Sequence, residues 1–288
     1  MSILRLSTLS LTLAIAVITL GYANPSFADK PGTGGCVVTA HEHCHDDGGE
    51  DPSPPIEACD VHPCIASVGK WHGIPASDYA ENNGGTYTEL SSNDFAKILA
   101  ALPEGNFQEL CDAQDVLIFG WNSPNIEGLD WDSLIDYMAC GGDVIWEDTN
   151  NIVKLTAGVA TDDIRVHFRS TPSPFTITFD SACLLAVPIL CALVPGGDPF
   201  TVKNSHIEFS PEDEQPATEL KQFLSQLPDL EVLGLYGVFG AGGCIVMTGP
   251  DNNFHGRFDD KNDERENQYQ LLFNELDWVL GSNECTPP

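Results

Sequence analysis

Basic residues are scarce. The 288-residue chain has 12 Lys and Arg against 43 Asp and Glu, a formal net charge of −31 at pH 7. A surface this negative repels phosphate backbones and anionic lipid, which argues against nucleic acid or a membrane surface as partner. Long apolar runs are also missing after the N-terminus. Ala182 to Pro195 is strongly apolar, but Pro188 interrupts it and it falls short of the ~20 residues a span needs. A buried hairpin or loop is expected there. There is no Gly-x-Ser-x-Gly elbow, no Walker loop and no dinucleotide fingerprint. The usual serine hydrolases, P-loop nucleotidases and nicotinamide enzymes therefore have no support in the sequence.

What is present begins with an export signal. Arg5 precedes an apolar run from Leu6 to Leu20, and the small-residue end Ser26-Phe27-Ala28 follows. Residues 1–28 read as a signal peptide, so the expected location is secreted or periplasmic, with no membrane attachment after cleavage. All ten cysteines lie beyond it. An even number in an exported chain reads as disulfides, whose connectivity does not follow from sequence. Cys36–Cys44, Cys59–Cys64 and Cys183–Cys191 are the short-range pairings, leaving Cys111–Cys140 and Cys244–Cys285. Residues 29–64 are rich in Gly, Pro, Asp, Glu and His and form an acidic, disulfide-pinned arm. A domain over 65–282 and a tail over 283–288 complete the chain.

From Ile65 onward strands alternate with helices. Ile65–Gly69, Asp115–Gly120, Val144–Trp146, Glu231–Tyr236 and Cys244–Thr248 read as strands. One helix starts at Ser91, with Asp94 as capping partner and Phe95, Ile98, Leu99 and Leu102 in phase. A second carries Trp131, Leu134, Ile135 and Met138 and stops at Gly141-Gly142. A third is expected after Pro216, through Leu220, Phe223, Leu224 and Leu227. The last carries Tyr269, Leu272, Phe273, Leu276, Val279 and Leu280. Alternation over Ile164–Phe168 and Phe175–Phe179, around Ser170–Pro174, predicts an antiparallel hairpin excursion. The strand–helix–strand order implies an α/β fold with a mostly parallel central sheet.

The stretch DVLIFGWNSPNIEGLDWDSLIDYMACGGDVIWED and the closing GGCIVMTGPDNNFHG…NQYQLLFNELDWVL resemble the class I glutamine amidotransferase-like superfamily, in a secreted branch. The resemblance implies a flavodoxin-like, three-layer sandwich. Catalytic members place a cysteine in a strained Gly-x-Cys-x-Gly turn. Here Cys244 follows Gly242-Gly243 but runs on into a strand, so the catalytic cysteine looks absent.

In open α/β sheets ligands bind beyond the carboxyl ends of the strands. Those ends carry Trp121 and Asn122, then Glu147 and Asp148, then Asp251 and His255. A ring to stack on a sugar, with carboxylates, amides and an imidazole around it, suits a carbohydrate or another extracellular polymer. The primary expectation is a non-catalytic binding or interaction protein with no cofactor. A hydrolase with Glu147 and Asp251 as acid and base is the alternative. Asp251, Asn253, Asp259 and Asp260 could instead hold calcium in an acidic structural protein. His41, His43 and His45 make a weak metal-binding cluster in the arm.

Overall fold

Hydrogen-bonded caps set the helix starts. Ser91 accepts the Asp94 backbone N–H at 3.0 Å and donates to its carboxylate at 2.6 Å. That reciprocal cap opens α2 (Ser92–Ala101), which ends ahead of Pro103. Asp130 likewise accepts the Ser133 N–H at 2.8 Å and opens α4 (Trp131–Ala139). The other helices are α1 (Ile74–Asn82), α3 (Gln108–Ala113), α5 (Ser181–Ala186), α6 (Asn252–His255) and α7 (Asp263–Gly281). The computed structural model describes residues 58–69, 73–103, 106–120, 126, 128–147, 164–168, 175–202, 207–211, 220–228, 231–239, 243–258 and 263–281. All of them lie in one compact unit, Asp51–Pro288. No helix among them is long and apolar enough to cross a membrane.

The strands are β1 (Cys64–Val68), β2 (Thr86–Leu90), β3 (Val116–Phe119), β4 (Asp143–Glu147), β5 (Ile164–Phe168), β6 (Phe175–Phe179), β7 (Phe200–Val202), β8 (Ile207–Pro211), β9 (Leu220–Gln226), β10 (Glu231–Phe239) and β11 (Gly243–Thr248). They form one sheet in the order β2-β1-β3-β4-β11-β10-β9-β6-β7, with β8 pairing β10 and β5 pairing β8. Pairing is parallel from β2 through β11 and antiparallel beyond it. The protein is thus α/β with a mixed sheet, not the mostly parallel one expected. β1, β2, β3 and β4 follow one another through helices, which lets them pair in parallel, whereas β9, β10 and β11 pair antiparallel in direct succession.

β1, β3, β4 and β11 are buried along their whole length. Alternate residues feed two separate cores. Ile65, Ile118, Ile145 and Val246 pack with α1 and with Leu272, Leu276 and Val279 of α7. Ala66, Leu117, Trp146 and Met247 pack with Phe95, Leu110, Leu134 and Met138 of α2, α3 and α4.

Three further expectations are corrected. The helix expected through Leu220 and Leu227 is strand β9, held by β10 on one edge and β6 on the other. Four apolar residues spaced i, i+3, i+4, i+7 in so short a segment fit either element. Burial of the consecutive Phe223, Leu224 and Ser225 beside an irregularity at Gly234 decides for the strand. Gly234 is required there, because a Cβ would meet the Phe223 ring at 2.6 Å. The predicted β5–β6 hairpin does not form either. β5 pairs β8, and β6 pairs β7 and β9. Alternation fixes which face of a strand is buried, not which neighbour it takes. Finally, the apolar Ala182–Pro195 segment, expected as a buried hairpin or loop, begins in helix α5 and continues as a loop that is not wholly buried: Leu185 is 88% exposed and Leu193 68%.

Disulfides join Cys59–Cys64, Cys111–Cys140 and Cys183–Cys191. Cys244 is also disulfide-bonded. Cys36, Cys44 and Cys285 lie outside the described residues. The bridges fit an oxidising compartment.

Candidate functional site

Glu147 ends β4, in register with Thr248 of β11. Beyond Thr248 the chain turns through Gly249 and Pro250 into α6, which Asp251 caps by accepting the Phe254 N–H at 3.3 Å. This folds 249–256 back over the strand ends. Glu147 then accepts the Asn253 N–H with both carboxylate oxygens, at 3.0 and 2.9 Å. The Asn253 side chain accepts the Ala76 N–H of α1 at 3.1 Å and donates to Ser67 of β1 at 2.8 Å. Tyr87 of β2 accepts the Gly73 N–H at 3.1 Å and hydrogen-bonds Ser67. Burial pushes its phenol up to about 12. Gly73 is required at this point, since a Cβ would overlap the Asn253 amide. The loop is thereby clamped to β4, β1 and α1.

The clamp is closed to water. Glu147, Asp251, Asn252, Gln268 and Glu275 are each at most 1% exposed. Glu147 and Asp251 are hydrogen-bonded to each other. Burial, and then the charges of Asp251 and Glu275, hold the Glu147 carboxyl well above the usual range, against the opposing Asn253 N–H. Two carboxylates in contact without solvent cannot both ionise, so the pair shares a proton. Glu275 of α7 accepts Asn252 Nδ2 at 2.9 Å, and burial raises its pKa well above the normal value too. Glu275 Oε2 and Asn252 Oδ1 have no hydrogen-bond partner among the described residues. A neutral Glu275 would carry an O–H of the kind that an amide oxygen such as Asn252 Oδ1 accepts. The site is a buried carboxyl–amide clamp that holds the 249–256 loop over the strand ends.

The structure thus brings together Glu147, Asp251 and Asn253, and puts His255, half-buried, at the end of α6. Trp121, Asn122, Asp148, Asp259 and Asp260 lie outside the described residues. At hydrogen-bond contact, Glu147 and Asp251 lack the ~5–10 Å separation that glycoside hydrolysis uses. Asn253 Oδ1, a candidate calcium ligand, is occupied by the Ala76 N–H. Ser67, Tyr87, Gln268 and Glu275 were missed from the sequence. The available signals were a serine inside the apolar run Cys64–Val68, and Glu275 between Leu272 and Leu276 on the buried face of α7. A separate groove of about 400 Å³, lined by Ala96, Leu99, Phe107 and Ser133 among others, shares no residue with the clamp.

No family model matches the chain, and no curated protein does. Solved structures similar to it include the mmIFT52 N-terminal domain, 12% identical over 76% of this chain and 98% of that one, with a TM-score of 0.47. A putative ThuA-like protein from Parabacteroides merdae ATCC 43184 is 11% identical over 78% of this chain and 96% of that one, at 0.44. The exo-beta-1,4-mannosidase Op5Man5 from Opitutaceae bacterium strain TAV5 is 10% identical over 76% of this chain, at 0.40. This chain spans 34% of that mannosidase. Likenesses this remote assign neither family nor activity, and the fold rests on the topology described above.

Proposed function

We propose that the chain is an exported, non-catalytic binding or interaction protein, built as a three-layer, flavodoxin-like member of the amidotransferase-like superfamily. The observation that carries this reading is the commitment of Glu147 and Asp251. Both are shut from solvent and bonded to each other and to the backbone of the loop they anchor. A catalytic pair has to face its substrate. Cys244, the cysteine nearest the superfamily's nucleophile in sequence pattern, is in a disulfide and cannot attack. The interaction half of the reading draws on Leu184, Leu185, Ile189 and Leu193, exposed apolar residues on and beside the disulfide-closed α5 segment. The ligand class we favour is carbohydrate, with Trp121 as stacking platform and Asn122, Asp148 and His255 as polar contacts.

The test is a pull-down of the full chain on a panel of insoluble polysaccharides, with reducing ends assayed in the supernatant. Retention without new reducing ends, lost on Trp121→Ala, is the expected result. Reducing ends that appear with the wild type and vanish with Glu147→Gln would overturn it in favour of hydrolysis. Repeating the melt in chelator checks the calcium alternative, for which the melting temperature would have to fall.

A further inference from the structure

The opposite, N-terminal end of the parallel strands carries a second constellation. Cys64 opens β1, and Asp115 immediately precedes β3. The Cys59–Cys64 disulfide closes the loop Cys59-Asp-Val-His-Pro-Cys64, with His62 inside it. His62 Nδ1 lies 2.8 Å from Asp115 Oδ2 and 3.4 Å from Cys59 Sγ. Asp115 Oδ2 also accepts the Cys64 N–H at 2.6 Å. A carboxylate only accepts, so Nδ1 carries the hydrogen, and that same N–H reaches the Cys59 sulfur. The three donor atoms are grouped as in a metal centre. With Cys59 bridged, however, no thiolate is available as ligand, so the chemistry on offer is that of the sulfur bond itself.

The two sulfurs are unequal. Cys59 is partly exposed and its neighbour His62 has a 66% exposed side chain, whereas Cys64 is buried at 5%. Thr86 donates its hydroxyl to Cys64 Sγ at 3.0 Å. Each sulfur therefore has a hydrogen-bond donor ready for the charge it would carry on release. Cys183–Cys191 and Cys111–Cys140 are placed differently. Cys183 and Cys191 are each 1% exposed, and Cys111 and Cys140 point at the Tyr137 carbonyl oxygen at 3.1 and 3.2 Å, an environment that opposes a thiolate.

We propose that Cys59–Cys64 is a redox-active disulfide that exchanges with dithiols, with Cys59 as the attacked sulfur and His62, oriented by Asp115, stabilising its thiolate. An incoming thiolate attacks Cys59 Sγ. The Cys59–Cys64 bond breaks and its electron pair leaves on Cys64 Sγ, which receives the Thr86 hydrogen bond and then a proton. The second thiolate of the dithiol attacks the incoming sulfur of the mixed disulfide and expels Cys59 as a thiolate beside the His62 N–H, where it takes up the second proton. Two electrons pass to the protein, the dithiol becomes a disulfide, and its two protons end on Cys59 and Cys64.

The test treats the folded full chain with dithiothreitol and with glutathione redox buffers, and maps each bridge by differential alkylation and mass spectrometry. Cys59–Cys64 should open at least ~10-fold faster than Cys111–Cys140 and Cys183–Cys191, and His62→Ala should shift its equilibrium with glutathione about 10-fold towards the disulfide, the scale of one charge-assisted hydrogen bond. Asp115→Asn, which keeps an acceptor for the Cys64 N–H, should fall between them. Circular dichroism on each variant separates this from unfolding, which would open Cys183–Cys191 as well. Equal rates for Cys59–Cys64, Cys111–Cys140 and Cys183–Cys191, or a His62→Ala variant that equilibrates with glutathione like wild type, would overturn the proposal.

Discussion

Replacing Glu275 by glutamine tests the clamp directly. If Glu275 is a neutral acid paired with Asn252, a Gln amide reproduces both hydrogen bonds without a titrating proton. Its folded pKa is raised, so between the unfolded and folded values the native chain binds more protons than the unfolded one, and stability falls as pH rises. The window opens near the unfolded carboxyl value of ~4.3 and closes at the folded pKa. Within it each retained proton costs about 1.4 kcal/mol per pH unit. The shared Glu147–Asp251 proton and the buried Asp143, also raised by burial, push the wild type the same way. Asp143 and the Glu147–Asp251 pair remain in both proteins, so the difference between them reads Glu275 together with its coupling to Glu147. Urea melts from pH 4.5 to 7.5 should show Glu275→Gln close to wild type at the acid end. It should gain by about 1.4 kcal/mol per pH unit while Glu275 stays protonated. A flat difference across that range, or a variant destabilised at every pH, would refute the neutral-acid pair.

Glu147→Ala strips the Asn253 N–H of its acceptor and opens a buried void, so a loss of roughly 2–4 kcal/mol is expected in chemical melts. Glu147→Gln, which keeps one oxygen, should lose distinctly less. Gly73→Ala forces the Asn253 amide aside, and about 1–3 kcal/mol should go, with faster hydrogen exchange at the Ala76 and Asn253 amides. Ser91→Ala removes the α2 cap at a cost of about 1 kcal/mol and should leave polysaccharide retention unchanged.

The cores were readable because their signals are local. β1, β3, β4 and β11 are continuous apolar runs, and such runs need cover on both faces. α2 announced itself through the Ser91 and Asp94 cap. The carboxylates Glu147 and Asp251 were also legible as a pair, since both follow strands that the α/β order places side by side. Their burial was not, because a polar residue after a strand is normally wet. Only the return of 249–256 over the strand ends, locked by Asn253 and Gly73, closes them off. Glu275 was hidden for a related reason. A carboxylate in an apolar helical stripe reads as an interruption until its partner, Asn252, arrives from another element.

The amino-acid order alone determined the acidic character and the position of most strands and helices, and it suggested two short-range cysteine pairings, Cys59–Cys64 and Cys183–Cys191, that the structure holds. These depend on composition, periodicity and short loops. The tertiary structure decided which strands became neighbours, that Leu220–Gln226 is a strand, and that the paired acids are sealed into a clamp. Each of those depends on contacts between segments distant in the chain, where burial and hydrogen-bond partners are set by the neighbour rather than by the residue itself.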